Sequence, residues 1–320
     1  MKFIYKLILV LLVTVLVFAL AGVLATWAPD RTVTELAPRW AKAPSRFIAV
    51  DGMQVHFRDE GPRDDPVPVI LLHGTSASLH TWDGWANALK DKRRVIRLDL
   101  PGFGLTGPRA DNDYSIDAYV RFVKNSADKL GVKSFVLVGN SLGGQIAWAT
   151  AVALPLRVQR LILVDAAGYP LAPQSIPIGF RIARMPGLRS LAEVLLPRGI
   201  IKASLRNVYG DSSKVSPELV DRYYELALRE GNRQALSQRF DQMQKEDTSF
   251  NIALIRSLKL PTLIIWGGKD KLIPVENAHR FAVDIAGSEL SVFDELGHVP
   301  QEEDAATTAL VARKFLEASL

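Results

Sequence analysis

The chain of 320 residues contains no cysteine. That absence removes disulfides, thiolate metal sites, iron–sulfur clusters and a cysteine nucleophile together. Histidine is scarce as well: His56, His73, His80, His279 and His298 are the whole supply, so imidazole chemistry has a short list of candidates. Charge of one sign is also lacking. Lys and Arg number 39 against 34 Asp and Glu, a net +5, whereas a nucleic-acid footprint needs basic charge gathered on one face. No nucleic-acid partner is expected. With 48% apolar and 23% charged residues, the composition is that of a globular chain and excludes disorder. The length suits one large domain or two small ones.

Acidic residues are missing altogether before Asp30, and from Leu7 to Ala28 there is no charge of either sign. This run of about 22 residues is long enough for a hydrocarbon core of roughly 30 Å. Lys2 and Lys6 precede it, Trp27 stands at its far end in an interfacial position, and Pro29-Asp30 stops it. The expectation is a single-pass anchor over residues 1–28. The competing reading is an exported, soluble protein whose signal is cleaved after Ala19-Leu20-Ala21, but the apolar run continues past that point through Val23-Leu24-Ala25. Lys2 and Lys6 outweigh Arg31 as nearby basic residues, which places the bulk of the chain on the non-cytoplasmic side. Residues 29–45, rich in Pro, Ala and charge, read as a tether.

From Arg46 onward short β-rich runs alternate with helical ones. RFIAV and MQVHFRDEG flank Asp51-Gly52 and read as a hairpin. VPVILLHG, RVIRLDLPG, FVLVGNS, RLILVDAAG, PTLIIWGGKD and ELSVFDELGH are continuous apolar runs with polar ends, the form of parallel strands buried on both faces. Helices are expected at Leu79–Lys90, Ile116–Leu130, Leu142–Leu154, Val275–Ala286 and Glu302–Leu316. The alternation argues an α/β sheet, with ligands bound beyond the carboxyl ends of its strands. Residues 169–257 break the pattern with helical periodicity and no convincing strand. They read as a helical cap between core segments 46–168 and 258–320.

Gly139-Asn140-Ser141-Leu142-Gly143-Gly144 follows a strand and precedes a helix, the context of a nucleophile elbow. A serine nucleophile needs a base and the base an orienting group. His298, between the last strand and the last helix, is the base; His56, His80 and His279 read as structural or solvated, and His73 ends a strand near the elbow. Two strand-end acids can orient it. Asp270 is favoured because Gly267-Gly268 projects it beyond its strand; Asp165 reads as a loop-stabilising carboxylate and Asp294 as structural. The oxyanion donors are expected at the amides of Leu142 and Thr75. The scheme requires no metal and no organic cofactor.

Taken in order, His73-Gly74, Asp99-Leu100-Pro101-Gly102-Phe103-Gly104, the elbow, the Asp270 loop and Gly297-His298 make residues 46–320 resemble an α/β-hydrolase-fold enzyme. The resemblance implies an eight-stranded, mostly parallel sheet with a cap inserted after the sixth strand. Haloalkane dehalogenases and epoxide hydrolases of this superfamily carry Asp at the elbow, and Ser141 departs from them. Carbon–carbon hydrolases of ring-fission products share the Gly-Asn-Ser-x-Gly-Gly form but carry Trp after the histidine and a more Gly-rich oxyanion loop, where this chain has Val299 and Thr75-Ser76-Ala77. Cofactor-free haloperoxidase-like members also use the serine. Membrane-anchored monoacylglycerol-lipase-like enzymes pair an apolar N-terminal helix with such a domain. The expectation is therefore a carboxylesterase or lipase acting on a small or lipid-like ester. A carbon–carbon hydrolase is the alternative, and a non-catalytic binding protein of the same fold is the rival of a different class.

Between Pro170 and Arg206 the basic residues Arg181, Arg184, Arg189, Arg198, Lys202 and Arg206 face a single acid, Glu193, among interleaved apolar residues. Such a half-cap can rest on lipid headgroups or pack against the core with its arginines solvated. The oligomeric state is not legible.

Overall fold

The computed structural model describes residues 2–170, 172–185, 187, 193–245 and 251–318. Its centre is one sheet of eight strands: β1 (Arg46–Val50), β2 (Met53–Glu60), β3 (Val69–Leu72), β4 (Val95–Leu98), β5 (Phe135–Asn140), β6 (Val158–Val164), β7 (Thr262–Gly267) and β8 (Glu289–Phe293). The spatial order is β1-β2-β4-β3-β5-β6-β7-β8. Only β2 runs antiparallel to its neighbours, and every pairing from β4 to β8 is parallel.

Local chemistry accounts for the start of the sheet. Asp51 and Gly52 both have positive φ, 50° and 78°, the requirement of a two-residue turn whose twist matches its strands. The hairpin pairs Val50 with Met53 and Arg46 with Phe57. In β3 the side chains alternate between two cores. Val69 and Leu71 pack with Trp82, Trp85 and Phe315, while Ile70 and Leu72 pack with Phe122, Ile146 and Phe281. Burial on both faces is why these strands read as unbroken apolar runs.

The helix expected at the last position is divided. Asp304 leaves helical geometry (φ −140°, ψ 74°) and its side chain accepts from Thr307 N–H, separating Pro300–Glu303 from Ala305–Glu317. The cap lies between β6 and β7. Its described helices are Ile178–Ala183, Arg198–Val208, Pro217–Ala227, Asn232–Met243 and Asn251–Arg256. Leu188, Arg189 and Leu191 of the basic half-cap lie outside the described residues.

The N-terminal helix, Lys2–Thr26, is long and apolar enough to cross a bilayer, and none of its 18-residue apolar window is buried against the rest of the chain. The segment after it corrects the expectation of a tether. Thr32 and Glu35 form a reciprocal capping box that starts a helix over Val33–Trp40. This helix docks on the cap: Leu36 is buried with Leu105 and Leu226, Trp40 Nε1–H donates to Glu225 at 2.6 Å, and Arg39 pairs with Asp221 and Glu225. Just before it, the foot of the long helix is stitched to the cap edge. Leu196 N–H donates to the Thr26 carbonyl at 3.0 Å and Ala28 N–H to the Val194 carbonyl at 2.9 Å.

Candidate active site

Four strand ends converge above the carboxyl edge of the sheet. The first is the elbow after β5. Ser141 sits at φ 56°, ψ −117°, a strained backbone for a residue with a side chain, of the kind retained at functional sites. A Cβ on Gly139 would collide with the Gly143 carbonyl, and one on Gly143 with the carbonyls of Leu72 and His73. These two glycines therefore allow strand and helix to cross closely enough to hold the turn. Ser141 N–H donates to Val164 and its carbonyl accepts from Ala167 N–H and Gln145 N–H, which locks the turn from β6. Helix Leu142–Ala153 begins at the next residue, so the Leu142 amide has no partner within the helix.

The second and third ends bring His298 and Asp270 together. His298 Nδ1 and Asp270 Oδ2 are 2.6 Å apart, and the two residues are 4% and 3% exposed. Asp270 Oδ1 accepts from Leu272 N–H at 2.8 Å and Ile273 N–H at 3.0 Å, which fixes the carboxylate plane. The histidine loop is equally fixed. His298 N–H donates to Val208 of the cap, and Asn140 Nδ2–H donates to the carbonyls of Val164 and His298. Glu303 accepts from Gly297 N–H of this loop and from Gly210 and Asp211 N–H of the cap.

Asp165, at the end of β6, is fully buried beside this pair. One ligand atom each from Asp165, Asp270 and His298 lie within 4.8 Å of one another. By spacing the three make a set that could hold a metal ion. Their atoms are already engaged, however: Nδ1 with Asp270 Oδ2, Asp270 Oδ1 with two amides, and Asp165 Oδ1 with Gly267 N–H at 3.0 Å. Burial and the adjacent Asp270 charge push the Asp165 carboxyl well above the usual carboxylate range. Its Oδ2 has no hydrogen-bond partner among the described residues.

The fourth end is the loop after β3. Gly74, Thr75, Ser76 and Ala77 line a cavity with Ser141 and His298, roofed by cap residues such as Phe180, Leu205 and Tyr223. The void measures about 910 Å³ with the open solvent at its mouth included. Thr75 and Ser141 both line this cavity.

The remaining histidines have structural surroundings. His73 accepts Leu100 N–H on Nε2, and His56 Nδ1 meets Asp99 at 2.7 Å. His80 is buried against Ser78 and Arg58, and burial drives its pKa down to about 3. His56 and His80 are buried rather than solvated. His279 is exposed. Three features escaped the sequence reading: the Glu303 clamp, the cluster of Arg222, Tyr209 and Tyr223 around Glu302, and Arg233 in the cavity wall. The Glu at 303 lay inside an expected helix, so no local pattern marked it.

A parallel sheet, an elbow serine and a buried His–Asp pair under a helical cap define a hydrolase scaffold. The family profile of the alpha/beta hydrolase fold matches residues 67–305, and the chain belongs to that family. Among its relatives is the 2-hydroxymuconate semialdehyde hydrolase of Pseudomonas sp. (strain CF600), 31% identical over 288 residues, covering 88% of this chain and 96% of that one. The solved meta-cleavage product hydrolase from Pseudomonas fluorescens IP01 is 28% identical with a TM-score of 0.73, over 85% of this chain and 97% of that one. A bacterial membrane phospholipase A shares the fold at 23% identity with a TM-score of 0.74, over 99% of this chain and 98% of that one.

Proposed function

We propose that the chain is a membrane-anchored serine hydrolase of carboxylic esters with apolar acyl chains. Ser141 Oγ attacks the acyl carbon while His298 takes its proton, and Asp270 holds the imidazole with the proton on Nδ1. The Leu142 and Thr75 amides receive the oxyanion. His298 then protonates the departing alcohol, and water repeats the sequence on the acyl-enzyme to release the acid. No metal or organic cofactor enters these steps.

The observation that carries the lipid-ester reading is the join between helix and cavity. Leu196 lines the cavity that holds Ser141, and its backbone is bonded to Thr26 at the foot of the apolar helix. A helix of that length held in a bilayer places the pocket beside the headgroups, where amphiphilic esters are concentrated. Lys2 and Lys6 at the near end favour an orientation with the catalytic domain on the non-cytoplasmic side, and Arg181 and Lys202 of the cap are exposed and can meet acidic headgroups.

A second reading has its own support. The relatives' names favour carbon–carbon cleavage of ring-fission products, and favour it more directly than ester cleavage. The same serine, histidine and oxyanion donors serve that reaction, with carbon as the leaving atom. Parallel assays decide: p-nitrophenyl and monoacylglycerol esters of graded chain length against a 2-hydroxy-6-oxo-dienoate, each with wild type and Ser141→Ala. Turnover of the dienoate alone would overturn the ester reading. Failure of a fluorophosphonate probe to label Ser141 would favour a non-catalytic binding protein.

A further inference from the structure

The catalytic cavity is lined by apolar and uncharged polar side chains, the catalytic His298 and one cation. Among the described residues lining it, Arg233 alone carries a fixed charge. It stands in the first turn of the cap helix Asn232–Met243, is 8% exposed, and also borders the two smaller cavities that adjoin the first. Of its guanidinium nitrogens, Nη2 donates to Asp30 Oδ1 at 2.6 Å, and Asp30 is itself held by Gly231 N–H. Nε and Nη1 are buried and have no partner among the described residues. Among the described residues, the one carboxylate bordering any of the three cavities is Glu193, an exposed residue at the rim of the third.

Buried guanidinium N–H groups are ordinarily paired, because leaving a charged donor dry and unmatched is costly. Arg233 cannot relieve that cost by losing its proton. Asp30 anchors one nitrogen from the outside and leaves the others for whatever fills the pocket. By contrast Arg222, also in the cap, is consumed internally by Glu302 and is not a cavity-lining residue.

We infer that Arg233 is the receptor for an oxyanion carried by the substrate, so that the hydrolase selects acyl compounds with an acidic group: the phosphodiester of a glycerolipid or the carboxylate of a dienoate. The inference rests on reading this cavity as the catalytic pocket, and it names the substrate class that pocket takes. The apolar walls hold the chain and the single cation holds the acidic end. Asp30 pairs with only one of the guanidinium nitrogens, so a neutral analogue leaves Nε and Nη1 unmatched and is disfavoured.

The test is protection of Ser141 from a fluorophosphonate probe in the full-length protein, using hexyl phosphate, hexanoate and hexanol as competitors. The wild type should be protected by one of the two anions at a concentration at least about thirtyfold below that of hexanol, the scale of a buried charge pair. Which anion does so separates the phosphodiester from the carboxylate source. Arg233→Gln should collapse that gap, and Arg233→Lys, which keeps a charge at the same place, should restore part of it. Labelling of the variants without competitor shows that the site is assembled. Equal protection by anions and hexanol in the wild type, or a gap unchanged in Arg233→Gln, would overturn the inference while leaving the catalytic reading in place. No labelling of the wild type would remove both.

Discussion

Replacing Asp270 by Asn changes one atom, yet the surroundings decide what that atom does. Asp270 Oδ1 accepts from the amides of Leu272 and Ile273, and Oδ2 from His298 Nδ1–H. In the variant the amide oxygen must take the Oδ1 place, because an NH2 group there would face two donors. The NH2 group is thereby turned toward His298 and donates to Nδ1. The imidazole proton moves to Nε2, where it blocks removal of the Ser141 proton. Wrong-tautomer variants of this kind lose roughly 10⁴ in rate, about 5.4 kcal/mol of activation free energy. Asp165→Asn tests the same logic in reverse. Asp165 accepts from Gly267 N–H on Oδ1, its Oδ2 has no partner among the described residues, and burial with the Asp270 charge raises its carboxyl; Asn keeps an oxygen for Gly267 N–H and carries no charge. It should keep activity within about tenfold, inside the range expected when a hydrogen-bond pattern is preserved. The rate constant for Ser141 labelling by a fluorophosphonate reports both variants without assuming a substrate. A larger loss in Asp165→Asn than in Asp270→Asn would assign the orienting acid to Asp165 and refute this account.

Three further outcomes are expected. Ser141→Ala should reduce turnover by several orders of magnitude, to the level left by binding and the oxyanion donors, with an unchanged circular dichroism spectrum; a loss of less than tenfold would count against the elbow serine as nucleophile. The full-length chain should stay with the membrane fraction through high-salt and alkaline washes, and truncation just before Thr26 should release an active soluble protein. Truncation through Ala28, which is buried and bonded to Val194, should also destabilise the cap; release of the intact full-length chain by salt would refute the anchor. Burial and Asp270 raise the Asp165 carboxyl above its value in an unfolded chain, so its contribution to stability is lost as pH rises from the ordinary carboxylate range toward the raised folded value. Asp165→Asn removes that loss. Its melting temperature relative to wild type should climb as pH rises above the ordinary carboxylate range, at a rate equivalent to no more than about 1.4 kcal/mol per pH unit; a flat difference would count against a raised Asp165 carboxyl.

The sheet was legible because parallel strands buried on both faces leave unbroken apolar runs, and β1 matches its expected limits, Arg46–Val50. The elbow was legible for a different reason: backbone collisions at Gly139 and Gly143 leave no other residue there, so the chemistry is written in glycines. Asp270 and His298, 28 residues apart, could be nominated as strand-end residues, but their contact is tertiary and only the fold supplies it. The tether was misread although Thr32 and Glu35 carry a capping signature, because Pro38 and the surrounding charges masked the single buried Leu36. His56 was left between a structural and a solvated role, because the partner that lets it be buried, Asp99, is 43 residues away. Arg233 gave no signal at all. Its helix is mostly polar, and nothing local distinguishes an arginine facing solvent from one facing a cavity.

The Glu303 clamp determines how the cap can move. One carboxylate holds Gly297, Gly210 and Asp211, and Val208 is bonded to His298. The cap is tied to the histidine loop at that corner, whereas Val194 and Leu196 of the cap are bonded to Ala28 and Thr26 at the foot of the apolar helix. Displacement of Val194 and Leu196 and tilting of that helix are therefore coupled, and in the membrane-anchored reading proposed above a bilayer thickness that tilts the helix should alter the rate of turnover.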